Sequence, residues 1–171
     1  MIQSTLILVK PDGVQRGLVG EVVSRFERVG LKLIGLKMQQ ANYLMAEKHY
    51  LLSEIGAKYG REVWDRLISF LESGPVVAMV FYGDESISVA RKICGATEPT
   101  QALPGTIRGD FCHHSIELAK DKDEAVHNVV HASSSQEDAI REIGVWFNGY
   151  NEEYSDLFYQ YRRMDEHCHT L

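Results

Sequence analysis

The chain has 171 residues, 44% of them apolar and 25% charged, a composition unlike that of disordered chains and suited to one compact domain. Its 18 Lys and Arg against 24 Asp and Glu leave a net charge of −6, the wrong sign for general nucleic-acid binding, so any phosphate site must be a local cationic cluster. Three cysteines at unrelated spacings and no secretory leader predict a reducing, cytoplasmic setting. No apolar run reaches the roughly 20 residues needed to cross a bilayer, so no membrane span is expected.

In chain order, Gln3 to Lys10 is short, apolar and β-branched, and Pro11, Asp12 and Gly13 stop it, which predicts a buried first strand. The spacing of Val14, Leu18, Val19, Val22, Val23, Phe26 and Val29 predicts one amphipathic helix ending at Gly30. Leu31 to Gln40 reads as a second strand, and Leu44 to Ser73 as two helical stretches separated near Gly60. Val76 to Tyr82 is a third, buried strand, and Glu85 to Cys94 a helix closed by Gly95. Ala96 to Asp110 is expected to be a structured excursion, Phe111 to Ile116 an edge strand, and the run Lys120 to Glu124 a solvated loop. Asn128 to His131 is apolar enough for a last strand, and Ala139, Ile143 and Trp146 mark a last helix. This order predicts an α+β fold, a ferredoxin-like sandwich with a four-stranded antiparallel sheet, helices on one face, a helical pair and a C-terminal extension. Residues 1–147 are expected to form one domain, with the aromatic tail 148–171 packed on it or on a neighbouring subunit.

The familiar phosphate cradles are absent: there is no Gly-rich run ending in Lys-Ser or Lys-Thr, no dinucleotide fingerprint and no protein-kinase signature. What stands out is His131, at the mouth of a helix beside Ser133 to Ser135. An imidazole is a nucleophile when one ring nitrogen is free and the other held, and Glu142 can supply the hold. Phosphoryl transfer asks mainly for positioning and for cations around the oxygens, and Lys10, Arg91 and Arg108 are candidates.

Four motifs in order, Lys10-Pro-Asp-Gly-Val-Gln-Arg-Gly17, Ser73-Gly-Pro-Val-Val77, Pro104-Gly-Thr-Ile-Arg-Gly-Asp-Phe111 and Asn128 to Ser133, resemble the nucleoside diphosphate kinase family over Thr5 to Phe147. The resemblance implies ping-pong transfer: a magnesium-bound nucleoside triphosphate such as ATP phosphorylates His131, and a nucleoside diphosphate collects the phosphate. It implies Mg2+ held mainly by the nucleotide phosphates, with no metal ligand in the protein. It further implies nucleotide binding by Lys10, Val63, Leu67, Arg91, Thr97, Arg108 and Asn128, support of the nucleophile by Tyr50, Ser133 and Glu142, and a homo-oligomer, either hexamer or tetramer, built from dimers.

Several positions depart from the family pattern. Arg61-Glu-Val63-Trp64 replaces an Arg-Pro and two phenylalanines, so the base-stacking position falls on Val63, with Trp64 open to either a stacking or a core role. The stretches near 51–60 and 113–127 are longer than usual, Ala132 stands for a glycine, and Ser134 for an aspartate. Two rival readings remain: a zinc-binding protein using Cys112, His113, His114, His127 and His131, and a non-catalytic ferredoxin-like regulatory protein.

Overall fold

The computed structural model describes residues 1–147, so the expectation for the tail lies outside the described residues. Four strands, β1 (Ile2–Val9), β2 (Lys32–Gln40), β3 (Pro75–Asp84) and β4 (Val130–Ala132), form one sheet in the order β2-β3-β1-β4 with every neighbouring pair antiparallel. This is the ferredoxin-like α+β sandwich expected from the element order.

Helices cover both faces of this sheet, not one face as the element order had suggested, which is why β1 and β3 read as continuous apolar runs rather than alternating ones. Leu6 and Leu8 point to one face, where they meet Ala46, Trp64, Ile68, Leu71, Ile143 and Trp146. That face is covered by the helical pair α3 (Tyr43–His49) and α5 (Arg61–Glu72) with α9 (Gln136–Trp146). Ile7 and Val9, one residue out of phase, point to the other face and meet Val22, Phe26, Ala90, Cys94 and Ile107. The elements there are α2 (Val19–Glu27), α6 (Ser86–Cys94) and α7 (Ile107–Phe111).

Three further expectations are corrected. The single helix drawn through Val14 to Val29 is two, α1 (Pro11–Gln15) and α2, because Gly17 takes a φ of +69° that ends the first. Phe111 to Ile116 is no strand: α7 ends at Phe111, and Ser115 caps α8 (Ile116–Asp121) by accepting from the Leu118 N–H at 3.1 Å. Of the polar run 120–124, Lys120 and Asp121 therefore close a helix, while Lys122 to Glu124 form the expected loop. The longer 51–60 stretch holds a π-helical turn, Leu52–Gly56, and the single turn α4 (Ala57–Tyr59). The 96–110 excursion holds a 3-10 turn, Pro99–Gln101, before Thr106 caps α7. Among the described residues no helix is long and apolar enough to cross a membrane.

Candidate active site

The site forms where β1 and β4 end side by side. His131 pairs with Leu8 across the sheet, so its side chain shares the Leu8 face and meets α3 and α9 instead of the opposite layer. Its Nε2 lies 3.0 Å from Glu142 Oε2 on α9. Burial would raise the Glu142 carboxyl, but His131, His49 and Ser133 outweigh burial and hold it at about 2. An ionised carboxylate can only accept, so the proton sits on Nε2 and the Nδ1 lone pair is free. The Ser133 hydroxyl donates to the same Oε2 at 2.6 Å, while the Leu6 N–H donates to Ser133 Oγ at 3.2 Å. The carboxylate is thus anchored through serine to the central strand.

His49 completes this cluster and was not anticipated from the sequence, although it precedes Tyr50. It is fully buried, its ring centroid 4.4 Å from His131, 4.5 Å from Tyr50 and 5.8 Å from Trp146, all near edge-on. Trp146 Nε1–H donates to His49 Nδ1 at 3.3 Å, and burial, reinforced by His131, pushes the His49 pKa well down, so it is neutral. Tyr50 lies edge-on to His131 at 6.0 Å, and its burial raises the phenol pKa, keeping the hydroxyl protonated.

Beside the histidine lies a buried polar cluster. Lys10 Nζ donates to Asn128 Oδ1 at 2.7 Å, and Asn128 Nδ2 donates to the Thr97 carbonyl at 2.8 Å. Burial, then Arg108, lowers the Lys10 pKa to about 8. Arg108 is also buried and donates to the carbonyls of Gly95 at 2.7 Å and Val130 at 2.9 Å. It is aimed by α7, whose tight start depends on Gly109: a Cβ there would stand 2.1 Å from the Leu103 carbonyl oxygen.

Between Asn128 and Val130, Val129 takes a φ of +65°, which a β-branched residue adopts only under constraint. Asp12 Oδ2 accepts its N–H at 3.0 Å and its carbonyl accepts the Lys10 N–H at 2.8 Å. Gly13 presses against it so closely that a Cβ would meet Val129 at 3.0 Å. The strained residue links Asn128, held by Lys10 and the Thr97 carbonyl, to the strand that carries His131. Asp12 and Val129 belong to the Lys10 to Gly17 and Asn128 to Ser133 motifs, which were their only signals in the sequence.

The remaining candidates form a looser rim. Arg91, in the last turn of α6, and Thr97 are exposed. Val63 is half-buried on α5, and Leu67, one turn on, packs against the first core layer. Trp64 belongs to the core: it is 1% exposed and its Nε1 donates to the Tyr50 carbonyl at 2.6 Å, so the stacking role considered for it is excluded. Ala132 carries no positive φ, and Ser135 caps α9 by accepting from the Asp138 N–H at 3.1 Å, with Ser134 bonded to the Asp138 carboxylate. A cleft of about 1130 Å³ between α1, α5 and residues 123–127 lies beside this site, and neither His131 nor Arg108 lines it.

The zinc reading does not assemble. His114 and His127 are neighbours, with ring centroids 5.0 Å apart, but the one donor cluster among the described residues is His49, His131 and Glu142, without Cys112 or His113.

A sequence model of the nucleoside diphosphate kinase family matches residues 3–151. A nucleoside diphosphate kinase of Borreliella burgdorferi is 50% identical over 166 residues, covering 97% of this chain and 96% of that protein. A solved structure of nucleoside diphosphate kinase from Borrelia burgdorferi, a transition-state mimic with bound vanadate and ADP, superposes with a TM-score of 0.85 at 50% identity, covering 90% of this chain and 89% of that one. An NDP kinase from Pyrobaculum aerophilum superposes at 0.79 with 37% identity, covering 90% and 98%. Fold and sequence together define a phosphotransferase acting on nucleotides. The chain belongs to the nucleoside diphosphate kinase family.

Proposed function

We propose that His131 carries the terminal phosphate of ATP, or of another nucleoside triphosphate, to a nucleoside diphosphate, and that the described cluster performs both half-reactions. The observation that supports this most directly is the His131 ring itself, with Nε2–H held by an ionised Glu142 and Nδ1 left free. Nδ1 attacks the γ-phosphorus, the bond to the bridging oxygen breaks, and the electron pair leaves on the diphosphate. The ring gains positive charge as the N–P bond forms, and Glu142, 3.0 Å from Nε2, compensates it without taking the proton. A terminal oxygen of the second diphosphate then attacks the phosphorus and restores the free imidazole.

Lys10, Arg108 and Arg91 meet the phosphate oxygens, Asn128 and Thr97 the ribose and phosphates, and Val63 and Leu67 border the base. Tyr50 and Ser133 hold the nucleophile's surroundings. The phosphate side of the site is cationic, and the Glu142 carboxylate is already bonded to His131 and Ser133, so this donor set fits Mg2+ carried on the nucleotide phosphates. When bound, that ion withdraws charge from the bridging oxygen.

The enzyme works in the cytoplasm, where its nucleotides are and where the free thiols Cys94 and Cys112 persist. It forms a homo-oligomer, hexamer or tetramer built from dimers, supported by a β2 edge that pairs with no further strand among the described residues and by Leu36, Met38 and neighbouring Val29, each more than half exposed. Light scattering on a gel-filtration column is expected to give a mass above the monomer.

Incubation with γ-labelled ATP, then with unlabelled diphosphate, tests the chemistry. Acid-labile label should enter the wild-type protein and leave on the diphosphate, and His131→Ala should take up none. Label retained by His131→Ala would sink the assignment of the nucleophile.

A further inference from the structure

Residues 113–127 make contacts that phosphoryl transfer leaves unused. After α7 the segment is tied to the excursion by the Ile116 N–H, which donates to Glu98 Oε1 at 3.2 Å, and it forms α8. It then reverses at Asp123, whose φ of +52° is one that Asp tolerates better than most side chains. The returning limb lies along α5. Arg66 Nε stands 2.9 Å from Asp123 Oδ1, an ion pair whose N–H is not aimed at the oxygen, and the Phe70 and His127 rings stack with centroids 4.8 Å apart and planes 12° from parallel. The limb is braced from within: the His127 N–H donates to His114 Nδ1 at 2.9 Å, and His114 Nε2 lies 3.3 Å from Glu124 Oε1. The next residue is Asn128, bonded to Lys10 and to the Thr97 carbonyl.

On α5, Arg66 and Phe70 form one i, i+4 pair, and Val63 and Leu67 another on the adjoining face. The helix proposed to border the base is therefore fastened, through two side-chain contacts, to the limb that delivers Asn128. We propose that Arg66, Phe70, Asp123 and His127 are positioning residues, a clamp that fixes Asn128 against α5 and so sets affinity for nucleoside diphosphates without touching the reacting atoms. This rests on the nucleotide-binding reading of Asn128, Val63 and Leu67 given above. The clamp acts on ground state and transition state alike, so its loss belongs in KM and leaves kcat in place.

The test compares wild type with Arg66→Glu, Phe70→Ala, and the exchanged pair Arg66→Glu with Asp123→Arg, each checked for an unchanged melting temperature. Arg66→Glu sets like charges together and is expected to raise KM for ADP roughly three- to tenfold with kcat within about twofold, and the exchange should recover most of the loss. Phe70→Ala should raise KM by a similar factor. Unchanged KM in both single variants, or failure of the exchange to recover a raised KM, overturns the clamp. Arg66 lies outside both apolar clusters of the core, so its variants serve if Phe70→Ala does not fold. Each variant is also labelled with γ-labelled ATP. Normal labelling with unchanged KM sinks the clamp alone, whereas an unlabelled wild type sinks the phosphohistidine reading and the clamp with it.

Discussion

The inner and outer halves of the site are built on different terms. Within the inner half, Lys10, Arg108, Ser133 and Glu142 are buried, and each already has a protein hydrogen-bond partner. At the outer half, Arg91 and Thr97 are exposed and Val63 is half-buried. Buried, mutually bonded groups cannot rearrange cheaply, so they present fixed charges to a reacting phosphoryl group. Exposed and apolar groups adapt, which suits a surface that accepts several bases by packing and stacking. The contrast teaches that substitutions inside should act on kcat and substitutions outside on KM.

The largest effect of that kind is expected from Glu142→Gln. The amide can still accept one hydrogen bond, but it carries no charge to balance the ring as the N–P bond forms. Loss of such a hold on a reacting imidazole costs about 10- to 100-fold, and it should appear in kcat with KM for ATP nearly unchanged. A kcat within twofold of wild type would erase the distinction between the two halves.

A smaller effect comes from Lys10, whose buried ammonium has a pKa of about 8 instead of 10.5. A lysine is charged below its pKa, so in the free enzyme this charge is present at neutral pH and lost as pH rises through about 8. The profile of kcat/KM, which reports groups of the free enzyme, should therefore fall above about pH 8 with a slope approaching one. Lys10→Arg, which keeps its charge across this range, should flatten that limb even if its absolute activity is lower. A limb that stays in place in the arginine variant would assign it to another group.

The sheet and its order were legible because β1 and β3 are apolar without interruption and the helices between them carry their own stops. The break at Gly17 was not, since Val14, Leu18 and Val22 keep helical spacing straight across it while the backbone does not. Phe111 to Ile116, lying just before a polar run, was expected to be an edge strand, but the capping chemistry of Thr106 and Ser115 makes helices on either side of it. At the site, His131, Glu142, Lys10 and Arg108 were nameable because they match positions of the family that the ordered motifs resemble; taken singly, a lysine or arginine at the end of an element is most often a solvated charge. The roles of His49 and Val129 were hidden because a buried neutral imidazole and a valine look like core, and only the fold reveals that one abuts His131 and the other is held at positive φ.

The smallest effect belongs to the outer wall. Val63 has a branched aliphatic side chain where an aromatic face could lie against a base, and Trp64 next to it is committed to the core. Val63→Phe adds a ring on the half-buried side of α5 without displacing core atoms, so the fold should be unaffected. Base stacking on an added aromatic ring, set against the apolar contact it replaces, should lower KM about two- to fivefold. The gain should be larger for purine than for pyrimidine diphosphates, because the larger base covers more of the ring, and kcat should stay within twofold. Measuring KM and kcat for ADP and CDP checks it. A change in kcat with KM constant would mean that Val63 communicates with the reacting atoms, and the outer wall could then no longer be treated as separate from the chemistry.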